Sequence, residues 1–277
     1  MLMMKDVLKK WILFLCWYWM QVTAQAQVPV TNLATTTATN TVTIFLQESL
    51  DGQGQRKPIH PSTEKLLQFL ERETGLNFAR EVVPWNRARL LTSEGQGIIW
   101  GFSKSPERLK TFNYSQAVLA SRIWAISCAE PRLKLRKVDD LKGKMISVER
   151  GVSHGMEFEL AKNTVFKIDE DTSSSLSRFK KLVAKRSDIL LMGGLRFETS
   201  AEVEEFLNKV YIPRFNDAEL SKKVFYVSSN PLFSDTIHFA AAKGHFESAL
   251  QKIDQALARG KKSGELQAIE KQFDLNH

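Results

Sequence analysis

GIIWGFSKSPERLK (97–110) is the stretch on which the fold turns. GIIWGF (97–102) is apolar and short, the pattern of a buried strand. Ser105-Pro106-Glu107-Arg108 then reads as a helix start, with Ser as the N-cap and Pro in the first helical position. A strand that runs through a short loop into a helix is half of a parallel α/β unit. In open parallel sheets, ligands sit beyond the carboxyl ends of the strands. Arg108 is expected in the first helical turn, beside free backbone N–H groups and the positive end of the dipole. With the Ser103 hydroxyl nearby, its guanidinium suits a carboxylate, which it can meet with two parallel N–H bonds. The competing reading pairs Arg108 with a surface Glu.

The same alternation extends in both directions. Upstream lie a strand at VTIFLQ (42–47), a helix over 62–74 stopped by Gly75, a strand at FAREVV (78–83) and a helix over 85–94. Downstream, VLASRIWAISCA (118–129) is a β-like segment long enough to leave one lobe and enter another. A second series follows: strand KMISVE (144–149), helix SHGMEFELA (153–161), strand VFKID (165–169), helix 174–185 and strand DILLM (188–192). Thr199 with Glu202 forms a capping box for the next helix. KVFYVSS (223–229) and TIHFAAA (236–242) read as further strands, and two apolar-faced helices close the chain. Parallel strands with interleaved helices predict an α/β fold. The carboxyl-end rule then selects Gln47 and Glu48, Pro84-Trp85, Gly101, Phe102 and Ser103, and Arg150, Gly151 and Ser153. Gly193-Gly194 reads as a tight turn.

The N-terminus carries Lys5, Lys9 and Lys10, an apolar run from Trp11 to Val22 too short to span a bilayer comfortably, and Ala24-Gln25-Ala26. Residues 1–26 therefore read as a cleaved secretory signal, with a retained anchor as the competing reading. Leu15 stands before Cys16 where a lipobox takes a small residue. Loss of this segment, with its three Lys and Asp6, lowers the net charge of the 277-residue chain from +8 to +6. It also leaves Cys128 alone, so no intramolecular disulfide is expected. Residues 27–41 are Thr/Ala-rich without apolar period and read as a flexible tether. Basic residues are scattered rather than set in tracts with aromatics, which gives no support to a nucleic-acid surface. The five His show no metal-ligand spacing, so neither metal nor cofactor is expected. His60 and His154 are candidates to line the cleft, with ordinary surface residues as the preferred reading.

PWNRA (84–88), SKSPERLKTFNYS (103–115), DLKGKMISVERGVSHG (140–155) and IHFAAAKG (237–244) with its two following helices resemble the family 3 periplasmic solute-binding proteins of ABC transporters. The resemblance covers residues 42–275. It implies a type II periplasmic-binding fold, with two mostly parallel sheets flanked by helices and joined by two crossover strands. Lobe 1 would be 42–126 plus 236–277, and lobe 2 would be 127–235. It also implies that Arg108 grips a ligand carboxylate, that Ser103 supplies a hydroxyl, that Trp85 forms an apolar wall, and that Gly151–Ser153 adds groups from lobe 2. The implied protein is a periplasmic monomer that binds a small polar, carboxylate-bearing solute for an ABC permease or a membrane sensor. Amino-acid binders carry an acid for the ligand ammonium after the strand that begins here at Arg186-Ser187-Asp188, but Gly193 stands near its place. Glu48 is a candidate to supply that charge.

The rival reading is an enzyme. Gly151-Val152-Ser153-His154-Gly155 fits G-x-S-x-G, the nucleophile elbow of α/β-hydrolases. Asp235 with His238 or His245 would complete the triad. A dehydratase on the binding fold would use Glu48 and His154 as acid and base.

Overall fold

The computed structural model describes residues 40–271 apart from residues 52, 129, 173 and 196. The proposed signal and most of the tether lie outside the described residues. The first strand, β1 (Thr41–Gln47), claims the last tether residue. It runs parallel to β2 (Asn77–Val83) and β3 (Ile98–Ser103). α1 (Pro61–Thr74) buries Leu66, Leu67, Phe69 and Leu70 against this sheet, and Gly75 at φ 68° ends it in the left-handed region that glycine adopts most readily. α2 spans Trp85–Ser93. The expected helix after Ser105 is a single turn, α3 (Arg108–Thr111), and Ser105 Oγ accepts from Arg108 N at 3.1 Å.

β4 (Phe112–Tyr114) leads into β5 (Leu119–Ser127). The second series comprises β6 (Met145–Glu149), α4 (Met156–Ala161), β7 (Lys167–Asp171), α5 (Ser175–Val183), β8 (Ile189–Leu195) and α6 (Ser200–Phe206). The Thr199–Glu202 capping box is formed. β9 (Tyr226–Val227), β10 (Phe233–Ala242), α7 (Glu247–Ser263) and α8 (Glu265–Glu270) complete the chain.

Among the described residues the strands form one sheet in the order β2-β1-β3-β10-β5-β8-β6-β7, with β4 beside β10 and β9 beside β5. The runs β2-β1-β3 and β8-β6-β7 are parallel, as the alternation demands. β10 and β5, antiparallel to each other and to their flanks, make the two expected sheets continuous. Each run keeps its own apolar core. Ile44, Leu66, Phe239 and Ile253 pack under the first; Ile146, Phe158, Phe166 and Phe233 pack under the second. Each large side chain so buried contributes about 1.5–3 kcal/mol.

Four local expectations shift. The helix at 153–161 begins only at Met156, because Gly155 sits at φ 94° and its N–H is bonded to Ser153 Oγ. The strand at 223–229 shrinks to Tyr226–Val227, because Asn208 takes both backbone groups of Phe225 (2.9 and 2.8 Å). The Lys/Gly-rich residues 259–264, expected as a turn between the two closing helices, are helical up to Ser263, and α7 stops at Gly264. Gly193 and Gly194 lie inside β8 rather than in a turn, at the irregularity where the β8–β5 register shifts between Met192 and Leu195. No helix among the described residues is long and apolar enough to cross a membrane.

Candidate functional site

The carboxyl ends of β1 and β3 meet the loop after β6 across a chamber of about 280 Å³. One wall comes from Gln47 at the end of β1, Trp85 at the start of α2, and Gly101 and Ser103 on β3. The facing wall is Val152, Ser153 and His154 in the β6–α4 loop, with Gly193 on β8. β5 and β10 supply the floor: Leu119 to Ser121, Ile123, Asp235 and Ile237. Two wider cavities adjoin it. One of about 670 Å³ shares Ala120, Ser121 and Asp235 and reaches Lys104, Arg122 and Glu198. The other, about 450 Å³, shares Gln47, Val152, His154 and Gly193 and reaches Glu48, Glu149 and Arg178.

The two walls are tied together. Gln47 Nε2 donates to Glu149 Oε1 at 2.7 Å. Arg108 donates from Nη1 to the Ser103 carbonyl (2.9 Å) and from Nη2 to the Gly151 carbonyl (2.7 Å). Its guanidinium lies 4.2 Å over the Phe102 ring, which stacks in turn on Tyr114. Burial lowers the pKa of Arg108, yet a guanidinium stays charged at any physiological pH. The Ser103 hydroxyl lies between the Ser153 carbonyl (3.2 Å) and the Asp235 carboxylate, the stronger acceptor.

The expected residues thus divide. Gln47, Trp85, Gly101, Ser103 and Ser153 line the chamber. Arg108 and Gly151 stand behind its wall and join its two sides. Phe102 is fully buried and its ring belongs to the core. Glu48 is paired with Arg56 (3.2 Å) and faces the larger cavity. Arg150 points outward, 63% exposed and 3.9 Å from Glu170. Trp85 is 4% exposed, packs against Phe102, and its buried Nε1 has no hydrogen-bond partner among the described residues.

Two lining residues sit in the chamber without the catalytic roles that the rival reading gave them. His154 is half-buried rather than on the surface, edge-on to Phe158 at 5.1 Å. Burial, with Arg178 nearby, pulls its pKa down to about 4, so it is neutral near pH 7. Asp235 is 8% exposed because β10 begins at Phe233, three residues earlier than expected, and the alternation turns Asp235 inward. Burial raises its pKa. The signal was present in FSDT (233–236), whose Phe and Asp share one face.

The hydrolase geometry does not assemble. Ser153 is hydrogen-bonded to no histidine among the described residues, and His154 cannot reach round its own backbone to serve it. His238 is buried with both ring nitrogens engaged, by Thr236 Oγ1 and the Ser115 carbonyl (2.8 Å each). Of the dehydratase pair, Glu48 is held by Arg56. No group of His, Cys, Asp and Glu that could hold a metal occurs among the described residues.

The fold matches solved structures along most of the chain. A mutant of ArgBP from T. maritima superposes with a TM-score of 0.62 at 18% identity, over 85% of this chain and 96% of that one. The fold is that of the type II periplasmic binding proteins. An amino-acid ABC transporter substrate-binding protein, AbpA from Streptococcus pneumoniae, bound to L-arginine, gives 0.60 at 17% identity over 85% and 95% of the two chains. The GluR0 ligand-binding core from Nostoc punctiforme, in complex with L-glutamate, gives 0.60 at 14% over 84% and 98%. No protein-family model and no curated protein sequence matches the chain. Periplasmic-binding proteins at this identity share the fold with this chain, so what the cleft holds must be argued from its own residues.

Proposed function

We propose that the chain is an exported solute-binding protein that closes two lobes, residues 42–126 plus 236–277 and residues 127–235, around a small polar solute in the central chamber. One observation carries this: the chamber's walls come from both parallel runs of the sheet and are hydrogen-bonded to each other at Arg108–Gly151 and Gln47–Glu149. The arrangement suits a hinged trap, with β5 and β10 as the hinge. Gln47, Trp85, Gly101, Ser103 and Ser153 contact the solute, and the Trp85 indole N–H donates to it. Arg108 has three N–H groups beyond the two engaged, and these serve an acidic group of the solute beside Ser103. The neighbours of like fold, solved with bound arginine or glutamate, support an amino-acid-like solute. The reading involves no covalent step. It places the protein in the periplasm as a monomer, delivering to an ABC permease or a membrane sensor.

A thermal-shift screen of amino acids, organic acids and short peptides tests it. A solute at about 100 times its Kd stabilises the folded state by about 2.7 kcal/mol. Hits are expected, and their shift should vanish in Arg108→Ala. Esterase activity that disappears in Ser153→Ala would sink the binding reading.

A further inference from the structure

Gly193 stands where a binder of this resemblance would carry an acid, and its surroundings are filled by side chains of β5. A Cβ at Gly193 would approach Ile123 Cδ1 to 2.6 Å and Ser121 Oγ to 3.0 Å. A side chain there would displace the Ile123 and Ser121 side chains of β5. Ser121 is the cross-strand partner of Asp235, and directly opposed residues present their side chains on the same face of a sheet. β8, β5 and β10 are consecutive in the sheet. Gly193, Ser121 and Asp235 therefore form a row across the chamber floor, and the row ends in a carboxylate.

That carboxylate is the one formally charged side chain among the chamber's lining residues, with His154 neutral near pH 7. It accepts a hydrogen bond from the Thr236 N–H (2.7 Å), and the Ser103 hydroxyl is a further partner. Among the described residues no Lys, Arg or His lies within ion-pair distance of it. Arg108 is close enough to act on it through space, but its guanidinium is held on Phe102 and two backbone carbonyls. A buried carboxylate without a paired cation is costly unless a partner arrives with the ligand. Trp85 and the aliphatic Leu119, Ile123 and Ile237 complete walls suited to methylenes and to a cation against an aromatic face.

We propose that Asp235, from the β10 crossover, is the residue that holds a cationic group of the solute, an ammonium or guanidinium, in place of an acid at position 193. This rests on the reading of the chamber as a solute site. It makes the preferred solute a cation-bearing one, whatever other groups it carries.

The test is calorimetric titration of the full chain with two probe sets. The first is arginine, lysine, agmatine and cadaverine; the second is succinate and glutarate, which lack a cation. At least one member of the first set is expected to bind, and Asp235→Asn should weaken it tenfold or more. The melting temperature of the unliganded Asp235→Asn variant should equal or exceed that of the parent, because Asn keeps the Thr236 bond and removes an unpaired buried charge. Unchanged cation affinity in Asp235→Asn overturns the proposal. So does a variant whose melting temperature drops, which would mark a structural carboxylate. Binding of succinate or glutarate without any cation also overturns it and leaves the solute-binding reading standing. No binding from either set overturns it too; the solute-binding reading falls with it only if the wider thermal-shift screen is also blank.

Discussion

Arg108, half-buried, and Asp235, buried, are charged side chains at the same cleft, and the protein treats them differently. Arg108 has an aromatic ring beneath it and two backbone carbonyls at its nitrogens, one from each side of the cleft. Asp235 has a neighbouring backbone N–H and a shared serine hydroxyl. The first charge is largely satisfied by the fold; the second is not. A buried charge that the fold satisfies tends to hold structure together, and one it leaves uncompensated is available to a ligand. Arg108 is thus first a tie between the walls, and Asp235 a contact for the solute.

The comparison breaks most sharply at Arg108. Arg108→Ala should remove two charge-assisted hydrogen bonds, costing on the order of 2 kcal/mol of stability and lowering solute affinity tenfold or more. Arg108→Lys should fail to restore either, since an ammonium cannot reach both carbonyls from one plane. Chemical denaturation and calorimetry on the same preparations would show it; a variant as stable as the parent contradicts the tie. Gly193→Ala comes next. Its Cβ would overlap Ile123, with an expected cost of about 1–3 kcal/mol read from the urea midpoint. An unchanged midpoint would mean that an acid could have stood there.

The two buried titratable groups of the chamber should shift stability with pH in opposite directions. His154 has a folded pKa of about 4, below its ordinary 6.5, so the unfolded chain binds its proton first. Stability should fall as pH drops from 6.5 towards 4, by on the order of 1–3 kcal/mol, and His154→Gln should flatten that slope. Arg178, Glu159 and Arg108 are the charges that act on this ring. Asp235 has a raised folded pKa. Its cost is absent at pH below its ordinary 3.8 and develops as pH rises through the folded value, so Asp235→Asn should gain on the parent over that rise. Thermal melts across pH 3–8 would separate the two. Ser153→Ala should have the smallest effect, a few-fold in affinity, since the main-chain carbonyl of Ser153 rather than its hydroxyl meets Ser103.

Much of this was legible in the sequence wherever periodicity was strong. The β1-α1-β2-α2-β3 series follows from apolar spacing in residues 42–103, and the parallel pairing follows from the interposed helices. Ser103 and Arg108 could be singled out because a strand end and a Ser-Pro helix start are short-range signals. Asp235 could be singled out only as a triad acid and not as a floor residue of the chamber, because an acid at an inward strand position reads as the strand's end. Gly193 read as a turn because two glycines interrupt an apolar run; their place in β8 is fixed by β5, a neighbour 70 residues distant. Arg150 looked like a loop contact by position, yet its side chain faces solvent and Glu170.

Fluorescence tests most directly that the solute occupies the chamber between the two walls. The chain from residue 27 onward carries Trp85, Trp100 and Trp124, and Trp85 alone of the three lines the chamber. Titration with a solute identified by calorimetry should change the emission of the parent and leave Trp85→Phe nearly silent while it still binds. An equal change in Trp85→Phe, or no change in the parent at saturation, would contradict the account.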